Sequence, residues 1–156
     1  AHNGANVGDK ADADLRLALE FTSDNRTRMS ILRTMGFNRE RVLEDDDAAL
    51  ETYRRITGQT RNTGSAEYYY GVQGAARILT RRGKFEEALE MLNHVDVGKL
   101  SGSWRGSMLL ARGQSLAAAG RKNEALEAYR GVLSSKSALN VHRKAAENAI
   151  KQLENQ

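Results

Sequence analysis

Two arginines four residues apart have the clearest binding chemistry in this sequence. Arg77 and Arg81 lie in a stretch whose apolar residues recur at helical spacing, so one helical turn separates their side chains. A guanidinium group donates hydrogen bonds in a planar fork that matches a carboxylate. The pair could therefore hold an acidic group. The alternative is a solvated helix face on which both arginines lie beside acidic residues.

Residues for covalent, metal and acid–base chemistry are missing or poorly spaced. The chain has no cysteine, which excludes disulfides, thiol nucleophiles, iron–sulfur clusters and thiolate zinc sites. His2, His94 and His142 are far apart, and no serine lies in a nucleophile elbow. The run Asp45–Asp47 lacks the alternating ligands of a calcium loop and suits a helix start instead. We therefore predict a protein that is not an enzyme and uses no metal or cofactor; the alternative is an unrecognised site in residues 1–60.

The charge distribution favours an acidic partner over a nucleic acid or a membrane. Residues 1–60 carry 9 basic and 11 acidic groups (net −2), whereas residues 61–156 carry 15 and 9 (net +6). Glutamates interrupt the basic half, and the aromatic and basic stripe of a nucleic-acid surface is missing. No segment approaches the roughly 18 apolar residues of a membrane span. The start at Ala1 without methionine fits export followed by cleavage, or a trimmed chain, so periplasm and cytoplasm both stay open, with export favoured.

Internal repeats organise the chain. Proline is absent, so nothing interrupts helices from inside. A shift of 37 residues aligns seven identical pairs: Leu79, Gly83, Glu87, Ala88, Leu89, Glu90 and Val95 with Leu116, Gly120, Glu124, Ala125, Leu126, Glu127 and Val132. Each copy predicts a helical hairpin in which Gly83 or Gly120 makes the turn. Residues 1–11 are small and polar and predict a flexible N-terminus, followed by a single helical domain over residues 12–156.

The pattern continues on both sides of these two copies. Upstream, the stripe of Met29, Leu32 and Met35 predicts a helix that Gly36 ends, and a second stripe runs from Ala49 to Ile56. Downstream, Ser137 is expected to cap a last helix with a polar outer face, whose apolar positions are Val141, Ala145, Ala149 and Leu153. Such a helix suits the end of a repeat array and predicts a C-terminus near Gln156.

Residues 69–135 resemble the tetratricopeptide repeat, a unit of two antiparallel helices. The earlier copy matches the family pattern at Ala76, Leu79, Gly83, Phe85, Ala88 and Leu92, and the later copy matches it at Gly113, Leu116, Gly120, Ala125 and Tyr129. The family's usual tryptophan and proline are absent, and Lys122 replaces an aromatic residue. The resemblance implies an all-α fold of helical hairpins stacked as a right-handed superhelix, with a C-terminal capping helix.

The resemblance also implies a binding function. The first helix of each hairpin would line a concave groove that holds a protein or peptide ligand. Matching positions are Tyr70, Gln73, Arg77, Thr80 and Arg81 in one copy and Ser107, Leu110, Gln114 and Ala117 in the next. The Lys and Asn of a chaperone-binding carboxylate clamp are missing. A second hypothesis is self-association into a homo-oligomer through repeat stacking.

Aromatic residues leave two interpretations open. Tyr68, Tyr69 and Tyr70 are consecutive and point in different directions on a helix, so we expect one or two in the core and the others in the groove or exposed. Trp104 is either an anchor for a neighbouring molecule or a plug over the preceding hairpin, with the plug favoured.

Overall fold

The computed structural model describes residues 2–59, 65–100 and 102–155, with the backbone alone for residues 2–6. The described chain is 82% helical and contains no strand, which confirms the all-α class. Its elements are α1 (His2–Phe21), α2 (Asn25–Arg41), α3 (Asp46–Gln59), α4 (Ala66–Arg81), α5 (Phe85–Asn93), a 3-10 turn (Val97–Lys99), α6 (Trp104–Ala118), α7 (Lys122–Ser134) and α8 (Asn140–Glu154). No helix in these ranges is long and apolar enough to cross a membrane.

The chain forms two compact units, residues 1–75 and 76–156, and the boundary falls within α4. The single helical domain over residues 12–156 stays a prediction. Helix α1 begins within residues 1–11, and the flexibility of that segment stays a prediction. Asn38 Nδ2 donates a hydrogen bond to the Gly8 carbonyl (2.9 Å), and the absence of a Gly8 side chain lets α1 approach Leu43 closely. Gly8 therefore serves helix packing.

Capping aspartates define both helices of the first hairpin, α2 and α3. The Asp24 side chain accepts a hydrogen bond from Thr27 N (2.7 Å), and that of Asp45 accepts one from Ala48 N (2.9 Å). Each bond satisfies a backbone donor that the first helical turn leaves free. The interpretation of the acidic run Asp45–Asp47 as a helix start is therefore confirmed.

Tyr53 explains why the predicted stop at Gly36 is wrong. Helix α2 continues to Arg41, and Gly36 lies inside it, buried against the Tyr53 ring. A Cβ on Gly36 would lie 2.6 Å from Tyr53 Cε1, and one on Gly74 of α4 would lie 2.5 Å from Tyr53 Cε2. Tyr53 is thus enclosed between two glycines, and its hydroxyl donates to Glu40 Oε2 (2.8 Å). Glycine often ends a helix, but Gly36 instead allows α2 to pack closely against the Tyr53 ring.

The C-terminal unit contains the same glycine turn twice, and it shares one glycine–tyrosine contact with the N-terminal unit. Gly83 and Gly120 have positive φ of 72° and 74°. After each, a backbone N–H bonds back across the turn, from Lys84 to Leu79 O and from Arg121 to Leu116 O, both at 2.9 Å. This is the Schellman arrangement, and it confirms both predicted turns. Gly113 packs beneath Tyr129 as Gly36 packs beneath Tyr53.

The last helix begins later than predicted. Helix α8 starts at Asn140, and Leu139, whose side chain offers no cap, takes the position expected for Ser137. Arg143 supplies a different anchor, since its guanidinium donates to the carbonyls of Leu133 and Ser135. Val141 is 65% exposed, whereas Ala146 is fully buried. The prediction that Ser137 caps this helix is wrong. Hydrogen bonds from Arg143, inside the helix, fix its start without a capping side chain.

A glycine-to-alanine pair tests the packing of Tyr53. We expect Gly36→Ala to lower the free energy of unfolding by about 1–3 kcal/mol, because the enclosed ring has no room to move. A Cβ on Gly58, at the exposed end of α3, meets nothing within 4 Å. Gly58→Ala should therefore raise stability by about 0.4–1 kcal/mol. Urea denaturation measures both; equal effects would contradict the packing role.

Candidate functional site

The predicted groove residues of the earlier repeat copy all lie on α4. Tyr70, Gln73 and Arg77 are half-buried, and Arg81 is exposed. Gln73, Arg77 and Arg81 each already make an interaction within the protein. The Tyr70 ring meets that of Tyr53 edge-on at 5.8 Å between centroids. Tyr70 therefore contributes to packing in the N-terminal unit, and the groove stays a prediction for this helix.

The predicted groove residues of the later copy lie on α6. Leu110 is half-buried against the core of the C-terminal unit, and Gln114 is exposed. Thr80 Oγ1 and Ser115 Oγ are 2.8 Å apart, which joins the end of α4 to α6. Thr80, one of the predicted groove residues, therefore contacts α6 at Ser115, which follows the predicted groove residue Gln114 in the sequence.

Helices α5, α6 and α7 enclose a cleft of about 480 Å³ in the C-terminal unit, here called the α5–α7 cleft. Its apolar lining comes from Leu89, Val97, Leu109, Leu116 and Ala128. Its charged lining comes from Arg105, Arg112, Arg121, Glu124 and Glu127. A concave surface that combines apolar side chains with charged groups can hold a ligand that has both kinds of group.

The cleft lies on the side of α6 opposite to the predicted groove. Arg105, Leu109, Arg112 and Leu116 are spaced by four, three and four residues, so they share one helix face. Leu110 lies about 100° further round the helix than Leu109, and Gln114 further still. The sequence contained a signal for this face, since arginine and leucine alternate along it. The family pattern directed attention to the other face.

Arg112 is the least satisfied charged residue of the cleft. Its Nη2 donates to the Leu92 carbonyl (3.1 Å), but its Nε is buried without a hydrogen-bond partner. Burial lowers the pKa of the Arg112 guanidinium below its ordinary value because the charged form loses hydration. The guanidinium stays charged at neutral pH, as arginine does in proteins generally.

Arg121, at the edge of the cleft, is fully paired. Its Nε and Nη2 donate to the two carboxylate oxygens of Glu124, at 2.7 and 2.6 Å. The hydrogen bond to Glu124 raises the pKa of Arg121, and the same bond lowers the pKa of Glu124. Arg105 is exposed, and the structure gives it no ion pair within the described residues. Arg105 and Arg112 are therefore the cations that a ligand could reach.

His94 and His142 do not form a metal site in the described part of the chain, and the side chain of His2 lies outside it. His94 is exposed, with Nδ1 2.8 Å from the Glu90 carbonyl. His142 Nδ1 is buried without a partner, and burial lowers the pKa of this imidazole. No group of three potential metal-ligating side chains was found among the described residues.

A second cleft, of about 580 Å³, lies in the N-terminal unit above a buried ion pair. Arg39 donates to both carboxylate oxygens of Asp12, at 2.7 and 3.2 Å, and also to Thr52 Oγ1 (2.7 Å). Arg16 bonds the same carboxylate at 2.8 Å. Burial alone would raise the pKa of Asp12, but the bonds and charges of Arg39 and Arg16 outweigh it and lower the pKa. These groups satisfy one another, so their role is to join α1, α2 and α3.

No protein-family model, curated protein or solved structure matches this chain significantly. The resemblance to the tetratricopeptide repeat therefore rests on the residues of the chain itself.

Removing the Asp12 carboxylate tests the structural role of that ion pair. Asp12→Asn should lower the free energy of unfolding by about 3 kcal/mol at pH 7, because the buried charge of Arg39 loses its partner. Asp14→Asn, at an exposed position of α1, is the control and should have little effect. The pKa of Asp12 lies below the ordinary 3.8 in the folded state. The stabilisation is therefore present above that value and disappears as pH falls through the lower, folded pKa.

Denaturant titrations of the parent and both variants from neutral pH to about pH 2 measure this difference. An Asp12→Asn variant as stable as the parent at pH 7 would contradict the role of the ion pair.

Proposed function

We propose that the protein is a non-catalytic scaffold that binds a segment of a partner protein or a peptide. The α5–α7 cleft carries this proposal. It combines apolar side chains such as Leu109 and Leu116 with the exposed Arg105 and the half-buried Arg112. Apolar contacts supply affinity, and a few placed charges supply specificity.

The helical hairpins support a tetratricopeptide-like framework for this scaffold. In α2/α3 and in α6/α7, a glycine of the first helix lies beneath a tyrosine of the second, as Gly36 beneath Tyr53 and Gly113 beneath Tyr129. The hairpins α4/α5 and α6/α7 turn through equivalent glycines. Close helix packing and a shared turn give a rigid surface, on which binding loses little conformational entropy.

Selection from a random peptide library against the immobilised chain tests the binding function. We expect specific sequences to be enriched, and Arg105→Glu to weaken their binding about fivefold, the equivalent of roughly 1 kcal/mol. Lys144→Glu is the matched control, because Lys144 is exposed on α8 and does not line the cleft. Failure to enrich any sequence over repeated rounds would contradict the scaffold function.

The double variant Arg77→Glu with Arg81→Glu tests the groove predicted on α4. If the selected peptides bind there, this variant abolishes binding and Arg105→Glu leaves it unchanged. If binding is unchanged in the double variant, the groove prediction is wrong.

Exposed apolar residues on the first and last helices favour self-association as a second candidate function. Leu17 and Phe21, four residues apart on α1, are 56% and 82% exposed. Leu139 and Val141, where α8 begins, are 50% and 65% exposed. Exposed apolar side chains on each of two units could pair between copies of one chain in a head-to-tail contact.

Light scattering across a range of protein concentrations tests self-association. The parent chain should show a mass that rises with concentration, and Phe21→Ser should abolish the rise because it removes the most exposed apolar side chain. Phe37→Ser, on α2, changes another exposed aromatic residue and is the control. A monomer at all concentrations would contradict this candidate.

A further inference from the structure

Building on the proposed scaffold function, we propose that Arg112 anchors an acidic side chain of the bound segment in the α5–α7 cleft, while the apolar lining takes an adjacent apolar side chain. The ligand class is thus a peptide in which a glutamate or aspartate lies next to a leucine-like residue. The argument rests on the state of Arg112, on its neighbours and on the charges of the cleft walls.

Arg112 differs from the other arginines of the C-terminal unit in having a buried donor without an acceptor. Arg121 is satisfied by Glu124, and Arg143 by three backbone carbonyls. Arg112 has one bond, to Leu92 O, and its buried Nε has none. An unpaired buried donor costs free energy, and a ligand carboxylate that meets the accessible part of the guanidinium would offset that cost.

The framework does not depend on the one hydrogen bond that Arg112 makes. Leu92 O also accepts from the backbone N–H groups of His94 and Val95. Loss of the Arg112 side chain would therefore leave this carbonyl satisfied. A cation that the framework does not require, and whose burial is incompletely compensated, is better explained by a bound ligand than by stability.

The cleft walls select a single carboxylate over a polyanion. Arg105 and Arg112 lie on the α6 wall, two helical turns apart, and the charged guanidinium of Arg112 can pair with a carboxylate. The opposite wall, on α7, carries Glu124 and Glu127. Glu124 is paired with Arg121, and the remaining charge of Glu127 would repel a continuous phosphate chain or an anionic membrane surface. Between the walls, Leu109 and Ala128 offer contact to an apolar side chain.

Nuclear magnetic resonance titration with two blocked tripeptides tests the anchor. The probe is acetyl-Leu-Glu-Leu-amide, and its match is acetyl-Leu-Gln-Leu-amide, which has the same shape without the charge. We expect the Glu peptide to shift the Nε–H signal of Arg112 and the backbone signals of Leu109 and Ala128. The Gln peptide should bind about tenfold more weakly, because hydrogen bonds to charged groups are the stronger ones.

Arg112→Met separates a binding role from a structural one. Methionine fills similar space without a charge, so we expect it to leave the urea midpoint unchanged or raised while it weakens binding of the Glu peptide at least about tenfold. Arg105→Gln, at an exposed position, is a second variant whose fold is not at risk, and it should weaken binding about threefold.

Three results would overturn the anchor. They are a destabilised Arg112→Met variant that binds the Glu peptide normally, equal affinities for the two peptides, or no shift in the cleft up to about 10 mM peptide. If library-selected peptides bind and shift signals only around Arg77, the anchor is wrong and the scaffold function stands. If the library also yields no binder, the scaffold function fails as well.

Discussion

The packing of a tyrosine ring directly on helix glycines is the constraint on which the rest of this structure depends. Tyr53 is fully buried between Gly36 and Gly74, and Tyr129 covers Gly113. At each of these positions a Cβ would lie closer than 3.0 Å to the ring, so the contact exists only with glycine. Glycine inside a helix costs about 1 kcal/mol relative to alanine. The close approach that it permits offsets this cost through burial of the ring.

This packing fixes which face of α6 remains open to the α5–α7 cleft. Gly113 of α6 packs against the Tyr129 ring, and the Ser115 hydroxyl shares a hydrogen bond with that of Thr80. The face that carries Arg105, Leu109, Arg112 and Leu116 then lines the cleft between α5 and α7. Arg112 is held there half-buried, and its guanidinium donates one hydrogen bond, to the Leu92 carbonyl. A rigid framework and an incompletely paired cation are thus two results of the same helix packing.

The sequence predicted the features that depend on local chemistry. Both glycine turns, the acidic helix start and the all-α class follow from neighbouring residues, and the 37-residue repeat made the turns easy to recognise. The sequence-based predictions were wrong where tertiary contacts determine the role of a residue. Gly36 is a stop signal in isolation and a packing site only beside Tyr53. Ser137 has the chemistry of a cap, but Arg143 holds the start of α8 by reaching back to carbonyls of the preceding segment.

The candidate site was harder to predict for the same reason. The family pattern placed binding residues on one face of α6, and nothing in the local sequence shows that helices α5 and α7 leave a cleft over the other. Asp12 shows the limit of prediction from local sequence, because its ion-pair partner, Arg39, lies 27 positions later. Burial and pairing across such distances are properties of the assembled core, which single-sequence patterns do not contain.

Hydrogen–deuterium exchange of the intact chain, with and without a library-selected peptide, tests the central claim most directly, because it locates the binding face without any substitution. Amide exchange should slow around Leu109 and Arg112 on α6 and around Ala128 on α7 when the peptide is bound. Slower exchange confined to Tyr70–Arg81 of α4, with α6 and α7 unchanged, would contradict the account.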